Sequence, residues 1–170
     1  MKVRNIKQHN NAAFIDGQNL YMGLKASGFD LDYMRFRKYL SMKYGVVHAF
    51  LYLGYIPEQE ELYDSLRKAG FELVFKQIAI NKKEKPKGNV DVLLAVDVME
   101  RLQEFDKAVL VTSDGDFAPL VEALQRRNKF LLLISPRRKT CSRLLQKVVR
   151  NKAVYIEEVL HKMKRHPADT

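Results

Sequence analysis

The sequence predicts a three-layer α/β/α fold, with helices on both faces of a mainly parallel sheet of five to six strands. Short, almost wholly apolar runs alternate along the chain with longer segments in which apolar residues recur at helical spacing. The short runs lack the alternation of polar and apolar residues that marks a strand with one wet face, so we expect strands buried on both faces. A helix-length segment separates successive runs, as a parallel crossover requires. We expect the strand order to be about 3-2-1-4-5.

The elements of the first half each have a local signal. A helix over residues 32–44 is indicated by apolar side chains at helical spacing and by Gly45, which ends it. A second helix, over residues 58–69, follows Pro57, has three glutamates in its first turn and ends at Gly70. The three strands of this half are rich in apolar, β-branched and aromatic residues and cover residues 12–15, 46–53 and 71–75.

The second half continues the same alternation. A helix over residues 117–127 has Pro119 in its first turn, where the missing N–H costs nothing. The other helices cover residues 90–103 and 141–149, with a helical tail at the end of the chain. The strands of this half cover residues 108–112, 130–134 and 154–156. We expect a single domain over residues 1–170, with a core at about 12–157 and a basic C-terminal helix and tail at about 137–170.

Composition excludes several classes of protein. The chain has 170 residues, of which 46% are hydrophobic and 29% charged, so a disordered or collagen-like chain is excluded. A single cysteine, Cys141, excludes an internal disulfide framework and fits a cytoplasmic location. No apolar run approaches the roughly 20 residues of a membrane span, and the N-terminus does not resemble a secretory signal. We therefore expect no membrane association.

The positive charge is concentrated at one end of the chain. The net charge is +10, from 30 basic and 20 acidic residues. Residues 1–125 contain 17 of each sign, whereas residues 126–170 contain 13 basic and 3 acidic residues. Such a surplus indicates a polyanionic partner and favours nucleic acid over a membrane surface. A merely solvated C-terminus is the alternative.

Aspartates follow two of the predicted strands directly. Asp16 comes after the first strand, and Asp114 and Asp116 come after the fourth. In the expected order these strands are neighbours at the point where the order reverses, and ligands of open α/β sheets bind at that point, outside the carboxyl ends of the strands. Asp91, in the first turn of the preceding helix, is within reach of the same cleft. Asp97 lies about 120° from Asp91 around that helix, so we expect it to be peripheral.

A cluster of carboxylates at this edge predicts a metal ion. Three or four carboxylates within about 4 Å repel one another by several kcal/mol per pair unless a cation neutralises them. Only oxygen ligands are available, so Mg²⁺ or Mn²⁺ is favoured over zinc. Such ions, in a basic protein, indicate hydrolysis of phosphodiesters. Simpler roles stay open for the aspartates: Asp16 and Asp114 as turn formers, and Asp116 as the N-cap of the helix over residues 117–127.

Polar side chains beside these aspartates are further candidates. Asn19 lies one turn after Asp16, where its amide can bond Asp16, a metal-bound water or a phosphate, or serve as an ordinary helix-start residue. Ser113 and Thr112 bring hydroxyls to the same edge, with a plain turn-forming role as the alternative. Tyr21 and Tyr55 are candidates for stacking on a base, and structural filling is the simpler role for either.

Three short motifs carry a family resemblance. They are FIDGQNL at residues 14–20, KGNVDV at residues 87–92 with Asp97 following, and VTSDGDF at residues 111–117 with Pro119 and Leu120 following. The three motifs, in their residues and in their order along the chain, resemble those of the NYN domain family, LabA-like branch, within the PIN-like nuclease superfamily. The resemblance covers about residues 12–135. The resemblance implies a Rossmann-like (PIN-like) fold and metal-dependent ribonuclease activity.

The same resemblance implies roles for individual residues. The residues that match the metal-binding acids of the family are Asp16, Asp91, Asp114 and Asp116. Asn19 matches the active-site asparagine, and Asp97 matches a further acid. With the four aspartates and Asn19 in catalysis and Asp97 and Ser113 at the periphery, we expect an Mg²⁺- or Mn²⁺-dependent ribonuclease. A non-catalytic RNA-binding or regulatory adaptor that keeps the acidic pocket is the alternative.

Two basic segments are expected to bind the RNA backbone on either side of the acidic cleft. The first is a loop before Asp91 that contains Lys82, Lys83, Lys85 and Lys87. The second follows the fifth strand and contains Arg137, Arg138, Lys139, Arg143 and Lys147. In the helix of this second segment, Leu144, Leu145, Val148 and Val149 are expected to dock on the sheet.

The partner is expected to be single-stranded or structured RNA, and the sequence leaves a homodimer open. A phosphohydrolase acting on small esters is disfavoured, since it requires an Asp where Gln18 stands.

Overall fold

The computed structural model describes residues 9–76 and 90–159. In these two ranges the chain forms six strands, seven α-helices and two short 3-10 turns. The strands are β1 (Asn11–Asp16), β2 (Val46–Gly54), β3 (Glu72–Lys76), β4 (Ala108–Val111), β5 (Phe130–Ser135) and β6 (Ala153–Tyr155). The helices are α1 (Gly17–Lys25), α2 (Tyr33–Tyr44), α3 (Glu60–Lys68), α4 (Asp91–Glu100), α5 (Ala118–Arg126), α6 (Arg143–Val149) and α7 (Ile156–Val159). The 3-10 turns are Pro57–Gln59 and Gly115–Phe117.

The strands form one parallel sheet in the order β3-β2-β1-β4-β5-β6. This confirms the predicted fold class and strand order, with β6 added at the edge beside β5. The central strand β1 pairs with β2 on one side and β4 on the other, so that Phe14 lies opposite both Phe50 and Leu110. The chain runs outward from β1 in one direction and from β4 in the other. The carboxyl ends of β1 and β4 therefore meet where the strand order reverses.

Two apolar layers hold helices against the faces of the sheet. Successive residues of β1 point to opposite faces: Phe14 packs with α4, α5 and α6, and Ile15 packs with α1, α2 and α3. Neither side chain has any exposed surface. On the first face, the ring of Phe14 stacks on Phe50 and meets the edge of Phe105, with ring centroids 5.4 and 5.2 Å apart. Burial on both faces is the reason that the strands read as continuous apolar runs.

The predicted helix over residues 141–149 begins later than expected and turns one leucine outward. Helix α6 begins at Arg143, and its Leu145 and Val149, four residues apart, are buried against the sheet. Leu144 was expected to dock as well, but it is 55% exposed. It lies about 100° around the helix from Leu145, so a seven-residue helix that buries the Leu145 face leaves Leu144 outside.

Within residues 9–76 and 90–159 no helix has the length and apolar character that crossing a membrane requires.

Candidate metal centre

Asp16 ends β1 and begins α1. Its Oδ1 accepts the backbone N–H of Asn19 at 3.0 Å, which makes Asp16 the N-cap of the helix. The next residue must be small because α1 starts tightly against β2. A Cβ at Gly17 would lie 2.8 Å from the carbonyl oxygen of Tyr52 and 2.5 Å from Cδ2 of Leu53. The Asp-Gly pair therefore places a carboxylate at the sheet edge and lets the helix pack closely behind it.

The Asp16 carboxylate is buried among other acids. Only 4% of the residue is exposed, and burial raises its pKa to about 6, although the hydrogen bond from the Asn19 N–H acts in the opposite direction. The nearby negative charges of Asp91 and Asp114 raise the pKa further. Ionised Asp16 is thus held in an environment that disfavours its charge, and a bound cation would relieve that unfavourable interaction.

The loop after β4 is tied to Asp16 by one hydroxyl. Thr112 is fully buried; its Oγ1 donates to Oδ2 of Asp16 at 3.4 Å and accepts the backbone N–H of Asp114 at 3.1 Å. Asp114 in turn accepts the Asp116 N–H on Oδ1 at 3.0 Å and so caps the 3-10 turn Gly115–Phe117. The alternative role of Asp116 as N-cap of the helix over residues 117–127 is not observed, because Phe117 is the N-cap of α5 and Asp116 lies inside the 3-10 turn with an exposed side chain. The tighter 3-10 turn that precedes α5 is the reason for the difference.

Three carboxylates converge at this edge. One oxygen each from Asp91, Asp114 and Asp116 lie within 4.8 Å of one another. Asp91 is the first residue of α4, whereas the other two come from the β4 loop, so the cluster joins elements that are distant in sequence. The donors are all carboxylate oxygens, which suit a hard cation such as Mg²⁺ or Mn²⁺. Asp16 lies outside this group of three and is more deeply buried than its members.

Asn19 fastens the two loops to each other. Its Oδ1 accepts both the backbone N–H and the hydroxyl of Ser113, each at 2.8 Å. The carbonyl of Ser113 accepts the N–H of Ser142, just before α6, at 3.0 Å. A Cβ at Gly115 would lie 2.5 Å from Oγ of Ser142, so the start of α6 is packed directly against the acidic loop. Ser142 is not among the predicted site residues, because no motif or spacing marks a contact made by a backbone amide.

Asp97 belongs to a separate network. Its Oδ2 accepts the hydroxyl of Tyr52 at 2.6 Å, and its Oδ1 accepts Nε–H of Arg101 at 2.7 Å. The Arg101 guanidinium lies over the ring of Phe50, 4.5 Å from its centroid. Burial and the bond to Asp97 raise the pKa of Tyr52. These contacts fix α4 on the sheet, and Asp97 is not one of the three converging carboxylates.

Two of the predicted RNA-binding arginines contact acids of α7. Nε and Nη2 of Arg138 donate to Oε1 of Glu158 at 3.0 and 2.8 Å, and its guanidinium stacks 4.1 Å from the ring centroid of Tyr155. The backbone N–H of Arg138 donates to Glu157 at 2.8 Å. Nε of Arg137 lies 3.7 Å from the Glu157 carboxylate, close enough for an ion pair but too far for a hydrogen bond. The two arginines are therefore partly neutralised within the chain.

The remaining candidates for RNA contact fall into two groups. Exposed side chains belong to Lys139, Arg143 and Lys147, of which Arg143 is the first residue of α6. Outside the described residues lie Lys82, Lys83, Lys85 and Lys87, together with residues 160–170 of the predicted basic tail. Among the aromatic candidates, Tyr21 is 52% exposed, and the hydroxyl of Tyr55 donates to Glu60 at 2.7 Å.

A parallel α/β/α sheet with an acidic cluster where its strand order reverses is typical of the PIN-like nuclease class. The model of the NYN domain family matches residues 10–157, and this chain belongs to that family. Low amplitude and bright protein LabA of Synechococcus elongatus is 25% identical over 134 residues, which are 73% of this chain and 72% of LabA. The crystal structure of VPA0982, a protein of unknown function from Vibrio parahaemolyticus, matches with a TM-score of 0.79 and 27% identity, over 96% of this chain and 100% of VPA0982.

Proposed function

We propose that this protein is a metal-dependent ribonuclease that hydrolyses phosphodiester bonds of single-stranded or structured RNA. The observation that carries the proposal is the convergence of Asp91, Asp114 and Asp116 within 4.8 Å, in a chain of the NYN family. Asp16 adds a fourth carboxylate whose pKa is raised by burial and by its acidic neighbours. Carboxylates gathered this closely repel one another, and a cation bound between them would offset that repulsion.

The three converging carboxylates would hold Mg²⁺ or Mn²⁺. When bound, such an ion activates water and neutralises negative charge that develops on the scissile phosphate and the leaving oxygen. Asp16 keeps Asp114 in place through Thr112, and its own charge adds to the affinity for the cation. Asn19 is a positioning residue, because both hydrogen bonds to its Oδ1 come from Ser113.

Basic side chains near the start of α6 would hold the RNA backbone. The N–H of Ser142 donates to the carbonyl of Ser113, so α6 begins beside the acidic loop, and this supports a role for Lys139 and Arg143 in holding the phosphates of an RNA strand that reaches the carboxylates. Because Arg138 is ion-paired with Glu158, we expect it to contribute less than an unpaired arginine to the affinity for RNA. A cytoplasmic site of action agrees with the single cysteine, which is buried.

Cleavage of labelled RNA in Mn²⁺ tests the proposal. Asp114→Asn keeps an oxygen to accept the Asp116 N–H but removes a charge from the cluster, so we expect cleavage to fall by at least about 100-fold. Asp64→Asn is the matched control, because Asp64 is exposed on α3 and pairs there with Arg67. Wild-type protein and Asp114→Asn cleaving at equal rates would overturn the proposal. Salt-sensitive RNA binding with no cleavage in any divalent ion would identify an RNA-binding adaptor instead.

A further inference from the structure

An apolar groove begins at the acidic cluster and runs between α4 and α5. Its volume is about 400 Å³. Asp91 and Asp116 form its acidic end, Val92 and Ala95 line the α4 wall, and Pro119 and Ala123 line the α5 wall. Val92 is 69% exposed, so this side chain presents apolar surface that no described residue covers.

The groove is continuous with the candidate metal centre. Two of the three clustered carboxylates, Asp91 and Asp116, also line the groove. Beyond them every lining residue is apolar, and no basic side chain is among them. A phosphate would have no basic side chain to pair with in this groove, whereas the flat face of a nucleobase would displace water from its apolar surface.

We propose that this groove receives an unpaired nucleobase adjacent to the scissile phosphate of single-stranded RNA. The inference rests on the proposed ribonuclease function and assigns a substrate class to the same site. A base in a duplex is stacked and paired and cannot enter, whereas bases of single strands and loops can turn outward. The apolar walls offer few groups that distinguish one base from another, so the groove favours unpaired RNA with little sequence preference.

The apolar surface of α4 extends past the groove at Val96 and reaches Glu100. A protein partner could also use an apolar helix face of this kind. RNA is favoured because the groove opens onto the carboxylates, where a nucleotide next to a bound phosphate must lie.

Filling the groove tests the inference. Ala95→Leu and Ala123→Leu add bulk from opposite walls, and both alanines are only partly buried, so one variant can serve if the other fails to fold. Ala26→Leu, at an exposed position after α1 and on the other face of the sheet, is the matched control. Cleavage is measured in Mn²⁺ on a single-stranded RNA and on a duplex of the same sequence, and Mn²⁺ affinity is measured by electron paramagnetic resonance.

We expect wild-type protein and the control to cleave the single strand faster than the duplex. The groove variants should lose about tenfold in kcat/KM on the single strand with unchanged Mn²⁺ affinity, which corresponds to the loss of one stacked base. Equal cleavage by folded groove variants, or a duplex cleaved as fast as the single strand, overturns this inference and leaves the nuclease assignment intact. Wild-type protein that cleaves neither RNA overturns the function itself. Groove variants that change the sedimentation behaviour but not the cleavage identify a protein interface instead.

Discussion

Replacing Asp16 with asparagine exchanges a buried carboxylate for a neutral amide of nearly the same shape. Burial raises the pKa of Asp16 from 3.8 to about 6 in the folded chain, so the folded state binds this proton more tightly than the unfolded state does. That difference contributes stability below about pH 4 that is lost as the pH rises through 6. At about 1.4 kcal/mol per pKa unit, ionised Asp16 costs the metal-free fold about 3 kcal/mol at pH 8.

Urea unfolding in EDTA at pH 4 and pH 8 measures this cost. Asn at position 16 keeps an oxygen for the Asn19 N–H, so Asp16→Asn should be more stable than wild type at pH 8, by as much as about 3 kcal/mol, and similar to wild type at pH 4. Adding Mn²⁺ should stabilise wild type more than the variant, because the cation meets one carboxylate fewer. Asp64→Asn, which removes an exposed carboxylate from α3, is the matched control. An Asp16→Asn protein that is less stable than wild type by the same amount at both pH values would refute this reasoning.

Three further variants separate structural roles from functional ones. Asp97→Ala leaves the buried hydroxyl of Tyr52 without its acceptor, so the free energy of unfolding should fall by about 2 kcal/mol while Mn²⁺ affinity stays unchanged; a loss of Mn²⁺ binding would contradict this assignment. Gly17→Ala should destabilise the fold by about 1–3 kcal/mol in urea, because its Cβ meets Leu53, and wild-type stability would show that the contact relaxes freely. The third variant replaces Arg137, Arg138 and Arg143 together by alanine. RNA binding should weaken, and the slope of log affinity against log salt should become shallower by up to about 2, while metal binding stays intact. Unchanged RNA affinity would show that this segment is only a solvated surface.

Sheet topology and the position of the acids followed from residue patterns. Continuous apolar runs predicted strands buried on both faces; Asp16 is the last residue of β1, and Asp114 lies three residues after the end of β4. Once β1 and β4 are neighbours, the geometry of a parallel sheet brings these two carboxylates to one edge. This part of the site was predictable because it depends on strand order and on position along a strand.

The contacts between loops were not predictable in the same way. Asn19 and Ser113 are 94 positions apart, and nothing in either local pattern indicates that the amide oxygen of one accepts two hydrogen bonds from the other. Pairing of Arg138 with Glu158 likewise depends on where α7 follows β6. The helical period placed Leu144 near the docking face, and only the packing of α6 decided that it stays outside. Such details depend on how elements meet in space, which a period along the chain does not encode.

Anomalous diffraction from a crystal of this protein soaked in Mn²⁺ tests the central claim most directly. We predict a Mn²⁺ peak bounded by the carboxylates of Asp91, Asp114 and Asp116, at the short distances that hard cations make to oxygen. The same soak of Asp114→Asn should show a weaker peak or none. A wild-type crystal in which this position stays empty at high Mn²⁺ concentration, or in which the ion binds elsewhere, would contradict a metal-dependent nuclease site at this edge of the sheet.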